Sequence, residues 1–185
     1  MRERTGKAEA KNLAGSLLLA HPALRDPNFR RTVILMSVHN DDGAMGVVLN
    51  RPLDQRLGEL NGEFLLGPLA SVPVFRGGPV QTEQLLLAAW QPHEEGFKLY
   101  FGIEPDKAGQ LVVEEGVQVR AFLGYSGWTG GQLEGELKQN TWVISPVPGD
   151  LMRHKQDDAL WRAVLGGMSH EWKLLADEPD DPTKN

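Results

Sequence analysis

The sequence predicts an α+β fold: one domain with a strongly curved, mostly antiparallel or mixed sheet of pseudo-barrel form and flanking helices. Three observations carry this. Short apolar runs rich in β-branched and aromatic residues outnumber the segments with helical spacing. Several runs are neighbours joined by turn residues, which makes hairpins and therefore antiparallel pairs. Glycine, 21 of 185 residues, repeatedly interrupts the runs, as it does where a sheet bends sharply.

Taken in order, residues 15–21 (Gly-Ser-Leu-Leu-Leu-Ala-His) read as a first strand stopped by Pro22. Asp26-Pro27-Asn28 is a turn, because proline fixes φ and Asx side chains bond nearby backbone. Residues 32–39 are the clearest strand; Asn40-Asp41-Asp42-Gly43 turns the chain back and residues 44–50 are its partner. Pro52 ends that strand, and a short helical stretch is predicted over residues 55–60. Residues 72–75 form a strand stopped by Gly77-Gly78-Pro79, and residues 84–90 and 98–103 a hairpin joined through Pro92 and Gly96. Pro105 opens a helix over residues 105–115, and residues 117–125 return as a strand. That strand breaks on glycines and restarts as a helix to about Asn140, with Thr129-x-x-Gln132 as a capping box and Leu133 and Leu137 on one face. Residues 141–145 are the last strand. Asp157 caps a final helix through Met168 that turns Leu160, Trp161, Val164 and Leu165 inward. Residues 1–12 and 173–185 read as polar tails around a domain of residues 13–172.

Composition narrows the function. No apolar run reaches the roughly 20 residues that span a bilayer, and residues 1–11 lack the apolar core of a secretory signal, so a soluble cytoplasmic protein is expected. There is no cysteine, hence no disulfide, thiolate metal site or cysteine nucleophile. The net charge is −6, from 19 basic and 25 acidic residues, which opposes DNA binding by phosphate neutralisation.

The most informative segment is Gly124-Tyr125-Ser126-Gly127-Trp128-Thr129-Gly130-Gly131. Its four glycines in eight residues bring backbone close to a neighbour, and Trp128 supplies a large anchor at a strand-to-helix turn of the kind that places ligands. Trp142 and Trp161 read as core, Trp128 as lining a pocket or interface. Ser126 is not a nucleophile elbow, because G-x-S-x-G requires glycine where Trp128 stands. His39 with Asp41 and Asp42 offers metal-ligand types, yet the two aspartates suit the turn without an ion, and no metal is assigned. Gly77-Gly78-Pro79 and residues 127–131 match no phosphate-binding pattern, and no cofactor is implied. Glu134 and Glu136 oppose an anion at the second loop; Glu134 could accept from an arginine or amine.

Several motifs together resemble the YqgE/AlgH family of bacterial proteins. They are Gly15-Ser16-Leu17-Leu18 with Pro22, Asp26 and Phe29; Gly43-Ala44-Met45-Gly46-Val47-Val48-Leu49-Asn50-Arg51-Pro52; Gly77-Gly78-Pro79-Val80; Gly124-Tyr125-Ser126-Gly127-Trp128; Gly131-Gln132-Leu133-Glu134-x-Glu136; and Asn140-x-Trp142. The resemblance implies a bifurcated pseudo-barrel sheet and a role in transcriptional regulation, the proposal behind the family name. It brings no catalytic residue set with it.

The leading expectation is a non-catalytic binding or regulatory protein that engages a protein partner or small ligand. Its expected site is Pro22, Asp26, Arg31, Asn50, Arg51, Gly78, Trp128, Gln132 and Glu134, with the Asn50-Arg51-Pro52 bend and the Trp128 bend meeting in one surface. The alternatives are a hydrolase, with Glu134 as base and Asn50 or backbone N–H groups stabilising negative charge, and a nucleic-acid binder using Arg25, Arg30, Arg31 and Arg51.

Overall fold

The computed structural model describes residues 12–178 as nine strands and five helices. They are β1 (Leu17–Ala20), β2 (Val33–Asn40), β3 (Gly43–Val48), β4 (Pro52–Arg56), α1 (Leu57–Leu60), β5 (Pro73–Arg76), β6 (Val80–His93), β7 (Gly96–Phe101), α2 (Pro105–Val112), β8 (Gln118–Thr129), α3 (Gln132–Lys138), β9 (Trp142–Ser145), α4 (Asp158–Met168) and α5 (His170–Ala176). The polar stretches 1–11 and 179–185 lie outside the described residues.

The result is an α+β fold with a strongly curved mixed sheet, a half-barrel flanked by helices. Strand order is β4-β5-β8-β3-β2-β1-β9, and the β6–β7 hairpin joins at β8. The β5–β8 pair is parallel and the other pairs are antiparallel. β8 holds the two wings together: residues 118–125 pair with β6 and 121–123 with β5, while residues 126–129 pair with β3. The change of partner falls between Tyr125 and Ser126, just after Gly124, whose φ of 72° suits glycine.

Alternation along the strands builds two cores, because successive side chains point to opposite faces. Leu17, Leu19, Val33, Leu35, Val47 and Leu49 meet Leu160, Trp161, Val164 and Leu165 of α4 on one face. Leu18, Ile34, Met36, Ala44 and Val48 meet Leu133 of α3, Trp128 and Trp142 on the other. Each large side chain buried this way is worth about 1.5–3 kcal/mol. The Trp161 indole also donates to the Ala20 carbonyl at 2.8 Å, pinning α4 to β1. A third core, including Leu57, Val74, Leu87, Leu111 and Val119, packs α1 and α2 on the β5–β6–β8 wing. No helix among the described residues is long and apolar enough to cross a membrane.

Four expectations are corrected. Residues 52–56 form edge strand β4, and the helix begins only at Leu57; an irregular register and Asp54 at φ 54° remove the alternation that would mark a strand. The glycine-rich segment does not end β8, which runs on to Thr129. The capping box is half made: Gln132 Oε1 accepts the Thr129 N–H at 3.1 Å, but Gly131, at φ 81°, is the residue that precedes α3 and no side chain caps it. Beyond Met168 the chain turns through Ser169, which accepts from Trp172 N at 3.1 Å and starts α5. That helix runs to Ala176, which is buried.

Candidate functional site

Three segments with strong local preferences converge on one recess. Asp26 Oδ1 accepts from Asn28 N at 2.8 Å and its carbonyl from Arg30 N at 2.8 Å, the Asx turn that the sequence predicts. The turn brings Pro27 and Asn28 to the end of β3, near Val48. Arg76 N donates to the Arg51 carbonyl at 2.8 Å, which sets two arginines side by side. Pro27, Asn28, Val48, Arg51, Arg76 and Gly78 thus enclose a cavity of about 210 Å³.

The recess is basic. Burial holds the Arg51 pKa below its ordinary value, Asp158 opposes that effect and Arg30 adds to it. Arg51 donates to Asp158 Oδ1 at 3.4 Å and to the Arg30 carbonyl. Arg31, held at φ 56°, reaches Asp158 Oδ2 at 3.4 Å and stands 5.7 Å over the Trp161 ring. Arg76 is exposed at the rim. Asn50, 1% exposed, ties the walls together rather than facing a ligand. Its Oδ1 accepts from Val33 N at 2.9 Å, and its Nδ2 donates to the carbonyls of Arg31 at 2.8 Å and Asp157 at 3.1 Å.

Trp128, Gln132 and Glu134 lie elsewhere. Trp128 pairs with Ala44, four strand residues from Val48, or roughly 13 Å along β3. It borders an open groove of about 560 Å³ with Asn40, Asp42, Met45, Tyr125 and Gln132. The indole itself is 7% exposed, and both its N–H and that of Trp142 donate to Glu136 Oε1 at 3.2 Å. Glu134 accepts from His39 Nε2 at 2.6 Å while His39 Nδ1 accepts the Leu13 N–H at 3.1 Å, so the ring proton sits on Nε2. This relay has the look of a catalytic dyad, but a backbone amide occupies the nitrogen that would serve a nucleophile. The two bends expected to form one surface therefore belong to separate recesses.

The His39 hydrogen bond is the largest of the influences that lower the Glu134 pKa from its ordinary 4.5. A carboxylate with a lowered pKa is a poorer base. Its stabilising contribution is complete above that ordinary value and is lost as pH falls through the lower folded value. Glu134→Gln should flatten the acid limb of thermal stability below the ordinary carboxylate value of 4.5. An unchanged limb would show that this pair is uncoupled from folding.

Of the expected set, Arg31, Asn50, Arg51, Gly78 and the Asp26 turn gather around the basic recess. Pro22 sits in the turn after β1, where His21 packs edge-on against Trp172 at 5.5 Å. Ser126 is fully buried and donates to the Gly77 carbonyl at 3.1 Å, in a strand rather than an elbow. Among the described residues no three metal-ligating side chains converge. Arg76 and Glu136 are the additions the structure makes. Arg76 carries no motif of its own in the sequence, and Glu136 is legible only as a motif residue three positions after Leu133.

Fold and site together define a helix-flanked half-barrel protein with a basic recess and no assembled acid, base and nucleophile among its described residues. Residues 17–173 match the family described as AlgH-like (DUF179). The chain belongs to this family. A UPF0301 protein of Streptomyces coelicolor is 36% identical over 195 residues, covering 98% of this chain and 100% of that one. The solution structure of AlgH from Pseudomonas aeruginosa is similar at a TM-score of 0.65 and 27% identity, covering 95% of this chain and 99% of the other. A crystal structure of a Corynebacterium diphtheriae protein gives a TM-score of 0.69 at 20% identity, covering 90% and 92%, a likeness of fold.

Proposed function

We propose that this protein is a non-catalytic binding protein with a regulatory role, which takes a carboxylate or phosphate group of a small ligand or protein partner between Arg51 and Arg76. The observation that carries the reading is that two arginines, Arg51 and Arg76, from segments joined by a backbone hydrogen bond, line one recess of about 210 Å³. Arginine suits such groups because its fork of donors meets two oxygens at once. The groups a hydrolase would need are engaged otherwise: Ser126 is buried, Asn50 holds three backbone groups, and Glu134 is held by His39. With a net charge of −6, a role in transcription would run through a ligand or protein partner rather than DNA phosphates.

Calorimetric titration with citrate and with inorganic phosphate at low salt tests the reading. Loss of a charge-assisted hydrogen bond costs about 1.5–3 kcal/mol, so Arg76→Gln should weaken binding about tenfold or more. Equal affinity in wild type and Arg76→Gln would remove the recess from consideration.

A further inference from the structure

The sheet face that packs against α4 carries a charge that the Arg51–Arg76 recess does not use. Arg120, on β8, is 6% exposed within the principal core. Its guanidinium has no carboxylate partner among the described residues; its donors meet the Leu49 carbonyl at 3.2 Å, Gln156 Oε1 at 2.6 Å and the Met152 thioether sulfur at 3.0 Å. The group also stands 4.6 Å over the Phe75 ring. Burial lowers its pKa to about 10, which leaves it charged at neutral pH. A buried cation without a counter-charge is costly to the folded state, and a thioether is a weak acceptor for it.

Beside Arg120 lies a cavity of about 20 Å³, the size of one water, among Leu35, Trp90, Leu99, Phe122 and Met152. Met152 closes it from a 3-10 turn (Leu151–Arg153), on a connection that contains Pro146, Pro148 and Gly149. An unbranched side chain with three rotatable bonds is a plug that can swing aside.

We propose that Arg120 anchors a second binding site, in which the carboxylate of a short-chain aliphatic acid replaces the Met152 sulfur on the guanidinium. The alkyl chain then lies against Trp90, Leu99 and Phe122 in the space that Met152 vacates. The acid supplies the counter-charge that the core lacks, and its two oxygens match the arginine fork. The modest space selects a chain of a few carbons. This site lies on the sheet face that carries Leu35 and Leu49, whereas the Arg51 recess uses Val48, so the two stand or fall separately.

The test titrates butyrate, and its neutral isostere butyramide, into the full chain. Two-dimensional ¹H–¹⁵N NMR reads the Arg120 Nε–H and the Trp90 indole N–H. Wild type is expected to show saturable shifts at both positions with butyrate and at least tenfold weaker binding of butyramide. Met152→Ala should tighten butyrate several-fold. Arg120→Met, an unbranched apolar replacement that a core tolerates, should abolish the preference for acid over amide. Equal responses to acid and amide, or no saturable shift in either wild type or Met152→Ala, would overturn the proposal. If Arg120→Met does not fold, the acid–amide comparison in wild type and Met152→Ala decides.

Discussion

Gly78→Ala is expected to lower stability by about 4 kcal/mol, because backbone strain of about 1–3 kcal/mol and overpacking of about 1–3 kcal/mol act together. Gly78 sits at φ 155°, a conformation reserved for glycine, and an added Cβ would fall 2.2 Å from the Tyr125 carbonyl carbon and oxygen. Those atoms are backbone within β8, where Tyr125 pairs with Val80 of β6, and cannot retreat without opening that ladder. Gly77 is placed alike, with a Cβ position 2.3 Å from the Gly124 carbonyl oxygen. In thermal melts the loss should appear as a fall of roughly 10 °C or as failure to fold. Gly135→Ala is the control: Gly135 lies in α3, has ordinary φ and open space around its Cβ position. That substitution should stabilise by about 0.5–1 kcal/mol through helix propensity. Similar effects at the two positions would mean that close backbone approach does not explain the Gly77-Gly78 motif.

The same contact shows why part of the site was legible in the sequence and part was not. Of the two glycine clusters, the Gly124-to-Gly131 segment reads in the sequence as a place where backbone comes close to a neighbour, and Gly77-Gly78-Pro79 only as the stop of a strand. At Gly124 that neighbour is the Gly78 carbonyl of the other cluster and at Gly130 it is the Asp41 carbonyl, long-range facts that no local pattern contains. Hairpin strands, the Asp157 cap and the inward face of α4 follow from periodicity and Asx chemistry within a few residues, and there the reading holds. β4 escapes because an edge strand needs no apolar alternation, and α5 because Gly166-Gly167 imitates a helix end while Ser169 opens another. Arg51 and Gly78 share a recess only through the β4–β5 pairing and the parallel β5–β8 ladder. The Trp128 bend is separated from them because β8 meets β3 at the other end of that strand.

Asn50→Asp should be as damaging as Gly78→Ala at neutral pH, and its damage should shrink in acid. The amide nitrogen of Asn50 lies between the Arg31 and Asp157 carbonyl oxygens, while its oxygen serves Val33 N, all at 1% exposure. An ionised aspartate keeps the acceptor but sets a second negative oxygen against two carbonyls, and two buried acceptors lose their donor. Each such loss costs about 1–3 kcal/mol, and more where charge is involved, so a total of about 4 kcal/mol or more is expected at pH 7. Burial and the facing carbonyls raise the carboxyl's folded pKa above its unfolded value near 3.9. The folded state then holds the proton longer than the unfolded state. The penalty is accordingly complete above the raised folded value and shrinks as pH falls toward the unfolded one, where a protonated carboxyl donates to one carbonyl. Asn50→Ala, with no titrating group, should lose about 3 kcal/mol through its unmet backbone partners at every pH. Urea unfolding of the three proteins from pH 4 to 8 gives the comparison. Parallel curves for Asn50→Asp and Asn50→Ala would show that Asn50 does not face those carbonyls, and with that the tie holding Arg31, Arg51 and Asp158 around the basic recess would be lost.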